Sequence, residues 1–282
     1  MTSPVVAFDN SGTLSDTTVV RKTVTPGYDW LEMVPAAPTD RGEFALVNLI
    51  CDDLEPFRSN APLGSVLDGA DVPIRLALSN CEMTADRTRE TLLEERDLPA
   101  RVVADQVELA IERTAARATD HLGVETPPAG AQVVADVSEG RVIRVVGYTA
   151  TPLQASPAVV SWTIENGYEP HIVSGDSTNI LQSVADVVGV PSANVHPYQS
   201  AVDKRRTLES LGEDRPVVMV GDFVNDRFAF EVADFAVFID GGDARTVERL
   251  QPLADVTVDS LAALPDALRT NRSTIVDEGV EL

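Results

Sequence analysis

Four short polar clusters hold residue types that could do chemistry together: Asp9-Asn10-Ser11-Gly12-Thr13, Ser174-Gly175-Asp176, Asp203-Lys204 and Gly221-Asp222-Phe223-Val224-Asn225-Asp226. Three of them follow apolar runs that read as buried strands, and Asp203-Lys204 leads a helix. In an open parallel sheet such positions converge on one crevice at the carboxyl ends of the strands. The chemistry they could share is phosphoryl transfer. Asp9 would attack phosphorus, and its charge would have to be balanced because a phosphoryl dianion repels it. Mg²⁺ takes oxygen ligands in octahedral geometry, and Asp9, the Ser11 backbone carbonyl and Asp222, with Asp226 in support, are the candidate ligands. Ser174, Gly175 and Asn225 would meet the phosphoryl oxygens, and Lys204 would neutralise the remaining charge.

Each cluster alone has an ordinary explanation. Asp9 to Thr13 would pass as a strand-ending turn, Ser174-Gly175-Asp176 as a helix cap, and Asp222 and Asp226 as acids favoured by a helix dipole. Lys204 is more telling, because lysine occurs only at Lys22 and Lys204 and every other cation is arginine. A compact ammonium fits beside a phosphoryl group where a wide guanidinium does not. His121, His171 and His196 lack metal-site spacing, Trp30 and Trp162 read as packing residues, and Glu94-Glu95-Arg96-Asp97 reads as a solvated helix face.

The elements that must position these clusters are legible from periodicity. Residues 4–8 form an apolar strand that ends at Asp9. From residue 141 onward strands and helices alternate: strands over 141–147, 169–173, 216–220 and 235–239, with helices over 156–166, 178–188, 201–211 and 226–233. Such repetition predicts an α/β fold, a Rossmann-like parallel sheet with helices on both faces. Residues 17–140 are less regular, with proline breaks at 35–38 and 127–128 and amphipathic helices over 86–97 and 100–122. The expected organisation is a catalytic core of 1–16 and 141–282 with 17–140 inserted as a cap domain.

Composition narrows the partners. The chain has 282 residues, 44% hydrophobic, with 45 Asp and Glu against 22 Lys and Arg and a net charge of −23. That charge repels nucleic acid and anionic membrane surfaces, so neither is an expected partner; it is the four polar clusters that point to a small phosphorylated molecule. Carboxylates in excess with almost no lysine suit a salty cytoplasm and point to a halophile. Cys51 and Cys81 form no metal-spaced pair and read as buried apolar residues. No apolar run approaches the roughly 20 residues of a membrane helix, and the N-terminus lacks a signal pattern, so a cytoplasmic protein is expected.

In this order the four clusters resemble motifs one to four of the haloacid dehalogenase superfamily. Residues 141–242 are most similar to the phosphorylation domain of P-type ATPases and their soluble phosphatase relatives: Asp9 to Leu14 resembles Asp-Lys-Thr-Gly-Thr, Ser174 to Asp176 resembles Thr-Gly-Asp, and Gly221 to Asp226 resembles Gly-Asp-Gly-x-Asn-Asp. The resemblance implies a Mg²⁺-dependent phosphatase working through an aspartyl phosphate. Three departures accompany it. Ser11 stands where most phosphatases of the superfamily carry the Asp that serves as general acid and base, which implies a long-lived intermediate and slow turnover. Phe223 replaces a glycine and is expected to crowd the metal site. Thr151-Pro152-Leu153-Gln154 lacks both charges of the ATPase hinge segment. Two other functions compete with the phosphatase: a degenerate member that binds phosphate or a partner protein, and an ATP-handling fragment, against which the absence of a Lys- and Gly-rich nucleotide pocket in 17–140 counts.

Overall fold

The structure is a computed structural model that describes residues 3–26, 42–50, 53–79, 84–116 and 127–275. Trp30, Cys51, Cys81 and His121 lie outside the described residues. In chain order the strands are β1 (Val5–Phe8), β2 (Ser15–Thr23), β3 (Phe44–Leu49), β4 (Ile74–Ser79), β5 (Ala129–Asp136), β6 (Arg141–Pro152), β7 (Glu169–Val173), β8 (Val195–His196), β9 (Val217–Gly221), β10 (Phe235–Ile239) and β11 (Val256–Val258). The chain divides into two compact units. Met1–Asp16 and Thr151–Leu282 belong to the first, Thr17–Thr119 and Gly123–Ala150 to the second.

The first unit is an α/β unit with a six-stranded sheet in the order β11-β10-β9-β1-β7-β8. Every pairing in it is parallel. β1 lies between β7 and β9, and Val5, Val6, Ala7 and Phe8 are all 0% exposed. A central parallel strand is covered on both faces, which is why this stretch is continuously apolar rather than alternating. Register places Phe8 beside Ile172 and Val220, so β1, β7 and β9 end together. The helices expected after residue 150 are present as Ser156–Glu165, Thr178–Val188 and Ala201–Leu211. Ser177 caps the second through the Ile180 N–H, and Gly189 closes it at φ 88°. The helix expected over 226–233 is instead a 3₁₀ turn, Val224–Asp226, followed by the single helical turn Arg227–Phe230. It stops early because Asp234 is tied to Val217, its carboxylate accepting the Val217 N–H at 2.8 Å, which aims the chain into β10.

The second unit contains a five-stranded sheet in the order β2-β6-β5-β3-β4, antiparallel from β6 through β4. Its core packs Val47, Leu63, Leu92, Val103, Val133 and Val145 together, with contributions from the helices Leu63–Gly69, Ala85–Leu93 and Arg101–Ala116. Two expectations change here. The strand beginning at Arg141 belongs to this antiparallel sheet, paired with β5, so the chain leaves the second unit between Ala150 and Thr151 rather than at residue 140. An apolar strand reads the same in either sheet, and its partner lies elsewhere in the sequence, so periodicity alone misplaces it.

In the segment 94–97, Glu94, Arg96 and Asp97 are exposed as expected, but the segment is not helical and Glu95 is buried. The helix ends at Leu93, and Glu95 is 8% exposed. Its Oε1 accepts the N–H groups of Asp97 and Leu98 at 2.9 and 3.0 Å, and its Oε2 accepts the Val142 N–H at 3.1 Å. A buried carboxylate that satisfies three backbone donors is a structural staple. Glu95→Ala leaves those donors buried without an acceptor, so a loss of about 2–4 kcal/mol is expected in chemical denaturation. A change within experimental error would show that Glu95 holds nothing.

In the first unit, Glu169, His171 and His196 form a chain. His171 Nε2 lies 3.0 Å from Glu169 Oε1, and His171 Nδ1 lies 3.1 Å from His196 Nε2. With both rings neutral the carboxylate fixes the direction: His171 donates to Glu169 and accepts from His196. Burial lowers the pKa of His171 below 6.5 against the opposing pull of Glu169, and burial followed by the nearness of His171 lowers that of His196. Below pH 6.5 these two rings therefore bind more protons in the unfolded chain than in the folded one, and their contribution to stability falls with falling pH, opposite in sign to that of buried carboxyls whose pKa is raised. The thermal midpoint is followed from about pH 8 to about pH 5, and in the acidic half of this interval the parent is expected to lose more, or gain less, than the double variant His171→Gln/His196→Gln. An equal slope in the double variant would assign the effect to other groups.

Candidate active site

β1 delivers Asp9 to the carboxyl edge of the first unit's sheet, where its N–H donates to the Val220 carbonyl at 2.9 Å. The loop that follows turns at Gly12, with φ +84°. A Cβ there would lie 1.9 Å from Asp222 Oδ2, so only glycine admits the Asp222 carboxylate. Leu14, 0% exposed, anchors the far side of the turn, its carbonyl accepting from Ser156 Oγ at 2.6 Å and from the Leu153 N–H at 2.9 Å. At β9 the same device recurs: a Cβ on Gly221 would stand 2.3 Å from Asp226 Oδ2. Both glycines are cleared for an approaching carboxylate.

Lys204 comes from the first turns of the helix Ala201–Leu211, which Ser200 starts with a capping box completed by Asp203. The lysine is 0% exposed, and its Nζ donates to Asp226 Oδ1 at 2.6 Å and pairs with Asp9 Oδ1 at 2.9 Å. Burial alone would lower its pKa, but Asp226 and Asp9 outweigh burial and raise it. Lys204 is therefore a permanent cation. Asp226 is fully buried, and its Oδ2 also accepts the N–H groups of Asp222 and Phe223. Asp222 is half-buried, with Thr13 Oγ1 donating to its Oδ1 at 3.2 Å.

Asp9, Asp222 and Asp226 each bring a carboxylate oxygen within 4.8 Å of the others. With all three carboxyls ionised, one ammonium leaves the poorly solvated cluster with an excess of negative charge. Burial raises the pKa of Asp222 well above the usual carboxylate range, and the charges of Asp9 and Asp226 add to it. Asp226 is raised as well, by burial and by Asp9, against the pull of Lys204. A hard divalent cation bound by oxygen ligands is what such a donor set fits, since it offsets the excess charge and favours the ionised carboxylates that burial and mutual repulsion disfavour.

The second half of the site is built around Asp176, 6% exposed in the loop after β7. Its Oδ2 accepts from Asn10 Nδ2 at 2.8 Å, Ser11 Oγ at 3.1 Å and Ser174 Oγ at 3.1 Å. Burial raises its pKa, the Asn10 bond opposes this, and the charge of Asp9 adds to it. Ser11 and Ser174 thus meet at a carboxylate. Gly175 lies against the loop that follows β8, where a Cβ would be 3.3 Å from the Gln199 carbonyl. Asn225 sits in the turn Val224–Asp226, and its buried Oδ1 has no hydrogen-bond partner among the described residues. Phe223, expected to crowd the cluster, is 37% exposed; its backbone N–H donates to Asp226 Oδ2 and its carbonyl accepts the Asp226 N–H at 2.9 Å. Thr13, Asn10 and Asp176 carry interactions that residue spacing alone did not assign, although all three fall inside the polar clusters.

Residues 4–234 match the family of haloacid dehalogenase-like hydrolases, and the chain belongs to that family. Among curated proteins, the copper-transporting ATPase of Saccharomyces cerevisiae is 27% identical over 126 residues, which covers 42% of this chain and 12% of that protein. The copper-exporting P-type ATPase of Staphylococcus saprophyticus is 32% identical over 108 residues, 37% of this chain and 13% of the relative. The chain therefore spans only a small part of the length of these relatives. Among solved structures, a zinc-transporting PIB-type ATPase aligns over 97% of this chain and 41% of its own, with TM-score 0.46 and 16% identity. The 3-deoxy-D-manno-octulosonate 8-phosphate phosphatase of Moraxella catarrhalis aligns over 45% of this chain and 75% of its own, with TM-score 0.37 and 14% identity. Among the described residues no helix is long and apolar enough to cross a membrane.

Proposed function

We propose that the chain is a Mg²⁺-dependent phosphatase that moves a phosphoryl group from a small phosphorylated molecule to Asp9 and then to water. The observation that carries this reading is the buried contact of Asp9 with Lys204 at 2.9 Å beside Asp222 and Asp226. Asp9 Oδ1 accepts the Asn10 N–H at 2.8 Å and faces Lys204, which orients the carboxylate for attack. Lys204 offsets the charge that builds on the phosphoryl oxygens, and Ser174 and Asn225 supply polar contacts to them. Asp9, the Ser11 carbonyl and Asp222, with Asp226 behind them, would hold Mg²⁺, which when bound screens the phosphoryl charge and polarises the phosphorus centre. As the bond from Asp9 to phosphorus forms, the bond to the substrate oxygen breaks. A sugar or aryl leaving group takes a proton from solvent, since Ser11 is a poor acid at neutral pH, and an acyl phosphate releases a carboxylate that needs none. Water then attacks the phosphorus and gives up its proton to solvent. The second unit is proposed to select the substrate.

Purified chain in high salt is expected to release phosphate from members of a panel of sugar, nucleotide and acyl phosphates with Mg²⁺ and to stop when the ion is chelated. Silence across the panel, with beryllium fluoride still bound tightly, would favour the non-catalytic phosphate-binding alternative. A second reading has one observation behind it: the second unit holds a cavity of about 170 Å³ lined by Leu54, Val107, Ile111, Pro127 and Ala129 to Ala131. An apolar cavity of this kind could take a nucleobase, as an ATP-handling unit like that of the copper ATPases would require. ATP affinity that Ile111→Arg abolishes would favour that reading over the phosphatase.

A further inference from the structure

Asp176 has no part in the phosphoryl chemistry above, yet donors from two loops end on one of its oxygens. A carboxylate oxygen offers two lone-pair directions, and Oδ2 meets three donors, Asn10 Nδ2 at 2.8 Å and the hydroxyls of Ser11 and Ser174 at 3.1 Å each. The oxygen is over-filled, and the longer contacts are the ones that yield. Asn10 is not free to turn away, because it is 0% exposed and its Oδ1 accepts from Ser15 Oγ at 2.7 Å. A serine hydroxyl turns about a single bond. The backbone around the carboxylate is clamped: the Tyr198 N–H donates to the Asp176 carbonyl and the Gln199 N–H to the Ser174 carbonyl, both at 2.9 Å. The hydroxyl hydrogens of Ser174 and Ser11 are therefore the mobile parts of a fixed frame, and Ser174 Oγ keeps its place by accepting the Asp176 N–H at 3.3 Å while its hydrogen turns.

We infer that Asp176 is a positioning residue that competes with a phosphoryl oxygen for the hydroxyl hydrogen of Ser174 and hands that hydrogen over when phosphate binds. The inference rests on the reading of Ser174 as a phosphoryl donor. Ser174 has one hydroxyl hydrogen, so it serves either Asp176 or the phosphoryl group, and the exchange replaces one charge-assisted bond by another. Once Ser174 has turned, Oδ2 keeps Asn10 and Ser11, two donors for two lone pairs, so the carboxylate loses little. Ser11 stays aligned, with its hydrogen on Asp176 and its lone pairs open to a donor such as water. Asp176 thus weakens the binding of phosphate while keeping the site in register for turnover.

The test is the affinity of the full chain for inorganic phosphate in the presence of Mg²⁺, together with kcat and KM, for Asp176→Asn, Ser174→Ala and the double variant. Asp176→Asn replaces the carboxylate with a weaker, neutral acceptor, so phosphate is expected to bind about tenfold more tightly. Both kcat and KM are expected to fall, whereas simple loss of structure lowers kcat and raises KM. In the Ser174→Ala background the tightening is expected to disappear. Tightening that persists there would assign the effect to the removed charge alone and overturn the inference, as would unchanged or weaker binding in a folded Asp176→Asn. If Ser174→Ala binds phosphate as tightly as the parent, the reading of Ser174 fails and this inference with it. If Ser174→Ala weakens binding but Asp176→Asn does not tighten it, only the inference fails. Should Asp176→Asn not fold, Asn10→Ala removes one of the three donors, so Asp176 grips Ser174 harder and phosphate binds more weakly. Unchanged or tighter binding in that variant also overturns the inference.

Discussion

Asp9→Asn is expected to reduce turnover by on the order of 10⁴-fold or more while leaving the fold standing. The amide occupies the same volume as the carboxylate but is neither an adequate nucleophile nor a charged metal ligand. A consequence for stability follows from the geometry. The charge of Asp9 is among the causes that raise the pKa values of Asp176, Asp222 and Asp226, so its carboxylate is electrostatically crowded on three sides. Lys204 makes its shorter contact, 2.6 Å, with Asp226, and that contact is expected to persist when the Asp9 charge is removed. The variant is therefore expected to unfold at a temperature no lower than the parent, the pattern of a site strained for function. Incubation with a labelled acyl phosphate and acid quench reads the chemistry: the parent should trap a hydroxylamine-sensitive phosphoryl label that the variant lacks. Labelling of the variant, or turnover near the parent rate, would remove Asp9 from the mechanism.

Lys204→Met is expected to lose both activity and stability. The methionine fills the volume of the lysine stem but leaves Asp9 and Asp226, 3% and 0% exposed, facing one another without a cation. Breaking a buried ion pair from one side costs about 3–5 kcal/mol, because the remaining charge stays in a poorly solvated place. The rate should fall by about 10²-fold or more, the scale of removing one preorganised electrostatic partner. Added Mg²⁺ is expected to raise the unfolding temperature more in the variant than in the parent, since the variant cluster carries one more uncompensated charge. Lys204→Arg should not rescue the rate, because a planar guanidinium cannot meet two oxygens at 2.6 and 2.9 Å in a fully buried slot cut for an ammonium. Full activity in Lys204→Arg would show that charge alone, not shape, is what the position supplies.

The parallel sheet of the first unit was legible because burial on both faces writes continuous apolar runs into the chain, and each run ends where the polar residues begin. Asp9 after Phe8 and Asp222 after Gly221 are such endings, and their gathering follows from strand ends sharing one edge. The lone lysine of the second half was legible for a chemical reason, since a chain that otherwise uses arginine has kept a compact cation at Lys204. The second unit was legible only in its helices. Its strands β3 and β5 pair antiparallel across a long stretch of intervening chain, and β6 read as a strand of the wrong sheet because local sequence does not name its partner.

The sequence by itself determined the residue types of the site, their order, and the α/β character of the unit that presents them, since these follow from local periodicity and from the chemistry of the side chains. Tertiary structure alone decided how those side chains are shared. Glu95, in a run of charges that reads as solvent-facing, closes three backbone donors because the end of its helix meets Val142. Lys204 divides itself between Asp9 and Asp226, and Asp176 gathers Asn10 and Ser11 from a segment far away in the chain together with its neighbour Ser174. A hydrogen bond or an ion pair depends on distances of a few tenths of an ångström between atoms on different strands, and those distances are set by packing, which no local pattern encodes.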